Sequence, residues 1–120
     1  MLNTKETGIL VNIIKHCETI LIKIKDLKKE EFDKNEDIKQ IICFNLLQIG
    51  ELVVHLDTNF ISNHFGIPWE KIRGMRNRIA HGYGSIKFDD VWNTAKTDIK
   101  PLNDYCSNIL LEDTTNNKTK

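Results

Sequence analysis

The spacing of apolar residues constrains this chain more than any other feature. Ile9, Ile13, Cys17, Ile20, Ile24 and Leu27 recur every three or four positions. That step gathers side chains on one side of an α-helix. Leu10, Ile14 and Leu21 widen the stripe, so the helix predicted over Gly8–Lys28 needs partners on two sides. A second run, Ile38, Ile41, Ile42, Leu46, Ile49, Leu52, Val53 and Leu56, predicts another long helix from about Glu36 to Leu56. Between them lies a charged connection, Lys28 to Asp37, punctuated by Phe32 and Asp33.

The remaining helices are shorter and marked by their ends. Asp57 or Thr58 can cap a third helix reaching about His64. Pro68 suits a first helical residue, because its missing N–H would be unpaired there anyway. Ile72, Met75 and Ile79 then give the fourth helix an apolar stripe, and Gly82 fits a left-handed residue that ends it. Asp89 and Asp90 favour the first turn of a last amphipathic run, in which Pro101 predicts a kink near Ile99. The 120 residues therefore predict one all-α domain, an antiparallel bundle of four to five helices over 1–112, with a flexible polar tail at 113–120.

Composition narrows the function. Lys plus Arg and Asp plus Glu both number 17, so no overall field draws nucleic acid to the chain. RNA binding has to come from a local patch, and Lys71 to Arg78 carries four basic residues and no acidic one. The N-terminus lacks a basic leader and no apolar stretch reaches the ~18 residues of a membrane span, which predicts a cytoplasmic location. Cys17, Cys43 and Cys106 are scattered without C-x-x-C spacing or paired histidines, so they read as small core or boundary residues and no metal site is expected. His16 and His55 read as structural histidines.

Groups able to act on a phosphodiester cluster in one place. Arg73, Arg76, Asn77, Arg78, His81 and Tyr83 fall within eleven residues. Arg73, Asn77 and His81 are four apart and share a helix face, while Arg76 lies about 100° round from Asn77 with a side chain long enough to reach the same spot. Histidine moves protons near neutral pH, and the arginine fork matches phosphate oxygens and developing transition-state charge. Gly50 inside the second long helix suggests close approach of another helix, since glycine there costs about 1 kcal/mol relative to alanine. Glu51 beside it either pairs with an arginine of the motif helix or is a solvated carboxylate.

The pattern Arg76-Asn77-x-x-x-His81-Gly-Tyr83 resembles the R-x4-6-H signature of the HEPN superfamily, in the form carried by HepT-like toxins. The likeness continues through the acidic pair before Trp92 and through Asp98 to Leu102, and Asn45 to Glu51 resembles the family's second long helix. It implies a HEPN-like bundle and a metal-independent endoribonuclease, the toxin of a type VII HEPN/MNT toxin–antitoxin system. In that scheme the ribose 2′-hydroxyl attacks its own phosphate. His81 transfers the proton, Arg76 meets the phosphate charge, and Asn77 orients. Arg73, Arg78 and Tyr83 contact substrate, with Glu51 behind the arginine and no cofactor or metal. The resemblance further implies a homodimer with facing motifs and an MNT-type nucleotidyltransferase antitoxin that adenylylates Tyr83. A second expectation, from a different class, is a non-catalytic helical partner and substrate subunit of such a nucleotidyltransferase.

Overall fold

A computed structural model describes residues 2–118 of the chain, with side chains through Thr114. The first helix, α1 (Thr4–Ile24), starts four residues before the predicted point and ends earlier. Asn3 caps it by accepting from the Glu6 N–H at 2.7 Å, and the Glu6 carboxylate accepts the Asn3 N–H at 3.0 Å. This reciprocal pair satisfies two donors that the helix start would otherwise leave bare.

The predicted charged connection contains a helix of its own, α2 (Lys29–Lys34). Its surface residues are charged, but Phe32 is fully buried and meets the Trp92 ring at 5.1 Å. α3 (Glu36–Val54) follows, capped by Asn35, and then α4 (Thr58–Asn63), capped by Asp57. After it come α5 (Trp69–Gly82), a 3₁₀ turn at Tyr83–Ser85, α6 (Phe88–Thr97) and α7 (Ile99–Lys118). Among the described residues, five helices of ten residues or more and two of six therefore make an all-α bundle.

Two sequence expectations are corrected. Gly82 is not left-handed: its φ is −152°, and no described residue has positive φ. The chain leaves α5 through the 3₁₀ turn, so no left-handed residue is required. The last amphipathic run is divided at Asp98 into α6 and α7, with Pro101 in the first turn of α7 where its missing N–H is tolerated. α7 runs to Lys118, into the segment expected as a tail. Residues 119–120 and the side chains beyond Thr114 lie outside the described residues.

α1 packs between α3 and α7, and α3 packs between α1 and α5. The centre is filled by fully buried Leu10, Ile13, Ile20, Ile42, Ile49, Ile99 and Leu102, each contributing about 1.5–3 kcal/mol through burial. One buried polar pair fixes the α1–α3 register. Asn45 donates from Nδ2 to the Ile41 carbonyl at 2.8 Å, leaving Oδ1 to accept from His16 Nδ1 at 2.7 Å. His16 thus carries its proton on Nδ1 and has the structural role expected of it. No helix among the described residues is long and apolar enough to cross a membrane.

Candidate active site

The motif helix is set by its two ends and by one close contact. At its start Trp69 is buried against Phe60 and donates from Nε1 to the His64 carbonyl at 2.6 Å. Met75 and Ile79 carry the buried stripe onward, with Ile72 half-buried. At mid-helix, Gly50 of α3 lies directly against Arg76: a Cβ built on Gly50 would overlap the Arg76 Cβ and stand 3.2 Å from its Cα. The glycine in α3 is explained by that approach.

The contact delivers Arg76 to Glu51, whose Oε1 accepts from Arg76 Nε. Arg76 Nη1 donates to Asn77 Oδ1 at 2.7 Å. A guanidinium has five N–H donors; two are occupied by these anchors and three remain for an anion. Asn77, its oxygen engaged, keeps both amide N–H groups to offer.

Asn77 also lines a cleft of about 510 Å³ between the C-terminal half of α5 and the start of α6. Arg78 and His81 line it from α5, and Ser85, Lys87 and Asp90 from the far side, with Met75, Ile86 and Val91 as apolar walls. His81 is exposed and makes no hydrogen bond among the described residues. Within one chain Asn77, Arg78 and His81 therefore share the cleft. Arg73, Arg76 and Tyr83 do not line it, although Arg76 is bonded to a residue that does.

The basic run is less bare than its sequence suggests. Arg73 pairs with Glu70 at 3.0 Å, Lys71 with Asp98 at 2.6 Å and Arg76 with Glu51. Arg78 has no acidic partner among the described residues, and its guanidinium lies 4.0 Å from Met75 Sδ. Net positive charge is thereby concentrated in the cleft, at Arg78 and Lys87, more than along the helix. Lys87 and Asp90 escaped notice in the sequence because they follow the motif and read as helix-start polarity. Their closeness to His81 in the chain was the available signal.

Tyr83 turns the other way, toward the start of α3. Its ring meets Phe88 edge-on at 5.9 Å, and Lys39 Nζ stands 4.8 Å over the same Phe88 ring while pairing with Glu36 at 3.3 Å. Partial burial, with Cys43 and Glu36 nearby, raises the Tyr83 phenol above its ordinary pKa, so the hydroxyl is protonated at neutral pH. It remains 41% exposed. Among the described residues, no three His, Cys, Asp or Glu side chains are grouped to hold a metal ion.

Known proteins are similar to this chain over most of its length. The chain is 30% identical over 101 residues to a protein named as a candidate RNase in Caldanaerobacter subterraneus subsp. tengcongensis, covering 84% of this chain and 90% of that one. A candidate RNase of Methanocaldococcus jannaschii is also 30% identical over 101 residues, covering 84% and 87%. A probable ribonuclease HepT of Thermococcus cleftensis is 28% identical over 82 residues, covering 61% and 74%. No solved structure matches. The family model described as "Ribonuclease HepT-like" matches residues 13–109, which takes in α2 to α6, most of α1, the first half of α7 and the whole motif, and the chain belongs to that HepT-like, HEPN-type family.

Proposed function

We propose that this protein is an endoribonuclease toxin that cleaves RNA without a metal ion and is silenced by a nucleotidyltransferase antitoxin acting in the same cytoplasm. The observation that carries this reading is the chain Glu51–Arg76–Asn77, which fixes a guanidinium beside a cleft holding an unbonded histidine. In the reaction the ribose 2′-oxygen attacks the adjacent phosphorus as His81 takes its proton. The P–O5′ bond breaks, leaving a 2′,3′-cyclic phosphate and a 5′-hydroxyl once the departing oxygen is protonated. Arg76 and Asn77 offset the charge that builds on the phosphorane-like transition state. The one histidine lining each cleft supplies a base but not simultaneously an acid, which favours a homodimer in which a second copy brings the other.

Tyr83 supports the control step. Its side chain is 41% exposed and lies off the cleft, so another enzyme's active site can receive it without entering the RNA site. In that step the phenol oxygen, losing its proton, attacks the α-phosphorus of ATP held by the antitoxin and pyrophosphate leaves, so the added AMP brings bulk and negative charge next to the motif helix and repels RNA. The same exposure is what a non-catalytic substrate subunit would display, and an assay of cleavage separates the two.

Protein expressed without any nucleotidyltransferase, incubated with RNA in EDTA, is expected to release fragments ending in 2′,3′-cyclic phosphate. His81→Ala should lose roughly 10²–10⁴-fold of that rate while melting like the parent. Undiminished EDTA-resistant cleavage by a folded His81→Ala protein would falsify the assignment. Intact mass after co-expression with the antitoxin should show an AMP-sized increment that Tyr83→Phe abolishes.

A further inference from the structure

The reaction as written leaves the α6 wall of the cleft without a task. Ser85, Lys87 and Asp90 line it, opposite Asn77, Arg78 and His81. Lys87 and Asp90 are exposed, and neither side chain makes a hydrogen bond or ion pair among the described residues. The adjacent Asp89, by contrast, is taken by Lys29 at 2.8 Å. Asp90 is thus a bare carboxylate inside a cleft that, on the ribonuclease reading, accommodates a polyanion.

Such a group disfavours phosphate, because like charges repel. It favours a donor, and unstacked RNA supplies donors on the Watson–Crick edges of its bases. Guanine presents two adjacent donors, N1–H and the exocyclic amine, which can meet both carboxylate oxygens at once. Adenine and cytosine present one amine with an acceptor beside it, and uracil one imino N–H flanked by carbonyls. Two-point pairing to a charged acceptor is the stronger and more specific kind. The half-buried side chain of Ile86 gives the ring an apolar surface to lie on, and the cleft volume of about 510 Å³ is within the range of small-molecule sites. Lys87 supplies a cation for a phosphate at the same wall.

We propose that the α6 wall is a nucleotide subsite in which Asp90 reads a guanine next to the scissile bond and Lys87 holds that nucleotide's phosphate. This rests on the ribonuclease reading above and adds base selection to it.

The test is cleavage of a random-sequence single-stranded RNA pool, with cut ends sequenced, by the full-length protein and by Asp90→Asn and Lys87→Gln. Circular dichroism melts establish that each is folded. The parent should favour guanine beside the cut by roughly tenfold. Asp90→Asn should keep cutting but lose the guanine preference and turn toward adenine and cytosine, whose edges offer the donor and acceptor that a carboxamide matches. Lys87→Gln should raise KM for all sequences alike, leaving kcat and base choice unchanged. A parent that cuts without base bias, or an Asp90→Asn protein with the parental bias, overturns the subsite, and an unchanged KM in Lys87→Gln removes the lysine from it. A folded parent that cuts no RNA brings down the ribonuclease reading itself, and the subsite with it.

Discussion

The side of α5 that faces α3 and the side that opens toward α6 are built on opposite terms. Toward α3, Arg76 is pressed against Gly50, held at Nε by Glu51 and tied at Nη1 to Asn77. Toward α6, the side chains of His81, Lys87 and Asp90 line an open cleft with no partner among the described residues. One side is positioned by folding and the other is left for a ligand to engage. A phosphate clamp is most effective when its geometry is settled before substrate arrives. A proton-transferring group has to meet atoms that arrive only with the substrate.

That contrast can be broken most severely at Gly50. Gly50→Leu places side-chain atoms where the Arg76 stem now runs, so α5 must move off α3. Overpacking of this kind costs about 3 kcal/mol, and both the unfolding midpoint in urea and the cleavage rate should fall together. A Gly50→Leu protein of parental stability would mean that α3 and α5 tolerate separation. A milder cut is Glu51→Gln, which keeps the shape and removes the charge. The pair is part-exposed, with side chains 31% and 41% accessible, so stability should change by less than about 1 kcal/mol. Cleavage should nevertheless drop roughly tenfold through loss of the arginine's orientation, rescued by Glu51→Asp only in part. Equal activity in Glu51→Gln would show that Asn77 alone suffices to place Arg76.

The effect with the least bearing on catalysis concerns the packed interior and should leave the cleft untouched. Burial pushes the thiol of Cys43 up to about 11 and that of Cys106 to about 12, and raises Cys17 as well, all from 9.0. A native thiol that keeps its proton while the unfolded one loses it lowers stability as pH rises. The contribution is intact below about pH 9 and is lost progressively as pH climbs toward those raised values. At pH 10 this amounts to about 1 kcal/mol per thiol, read as a falling melting temperature between pH 8 and 10. A flat profile would place those thiols in contact with water.

Sequence periodicity located the long helices well because α1, α3 and α5 each bury a continuous apolar stripe, and the short α4 was legible because Asp57 announces its cap. It missed α2, where the six residues Lys29–Lys34 bury only Phe32 and five charged neighbours mask it. It misjudged Gly82, since glycine permits a left-handed turn without demanding one. In the site, the helical wheel placed Arg76 within reach of Asn77, and the two side chains do bond. It could not say that α3 would draw the rest of that arginine away from His81, because which helix packs on which face depends on tertiary contacts. Glu51 was legible as a carboxylate beside a glycine, and only the α3–α5 contact supplies its partner.

The missing side chain at residue 50 has a bearing on engineering. A motif whose key cation depends on a notch in a neighbouring helix is not a portable cassette. Grafting residues 69–83 onto another scaffold would transplant the letters of the signature without the hollow that seats them, so any transferable unit has to include the partner helix as well.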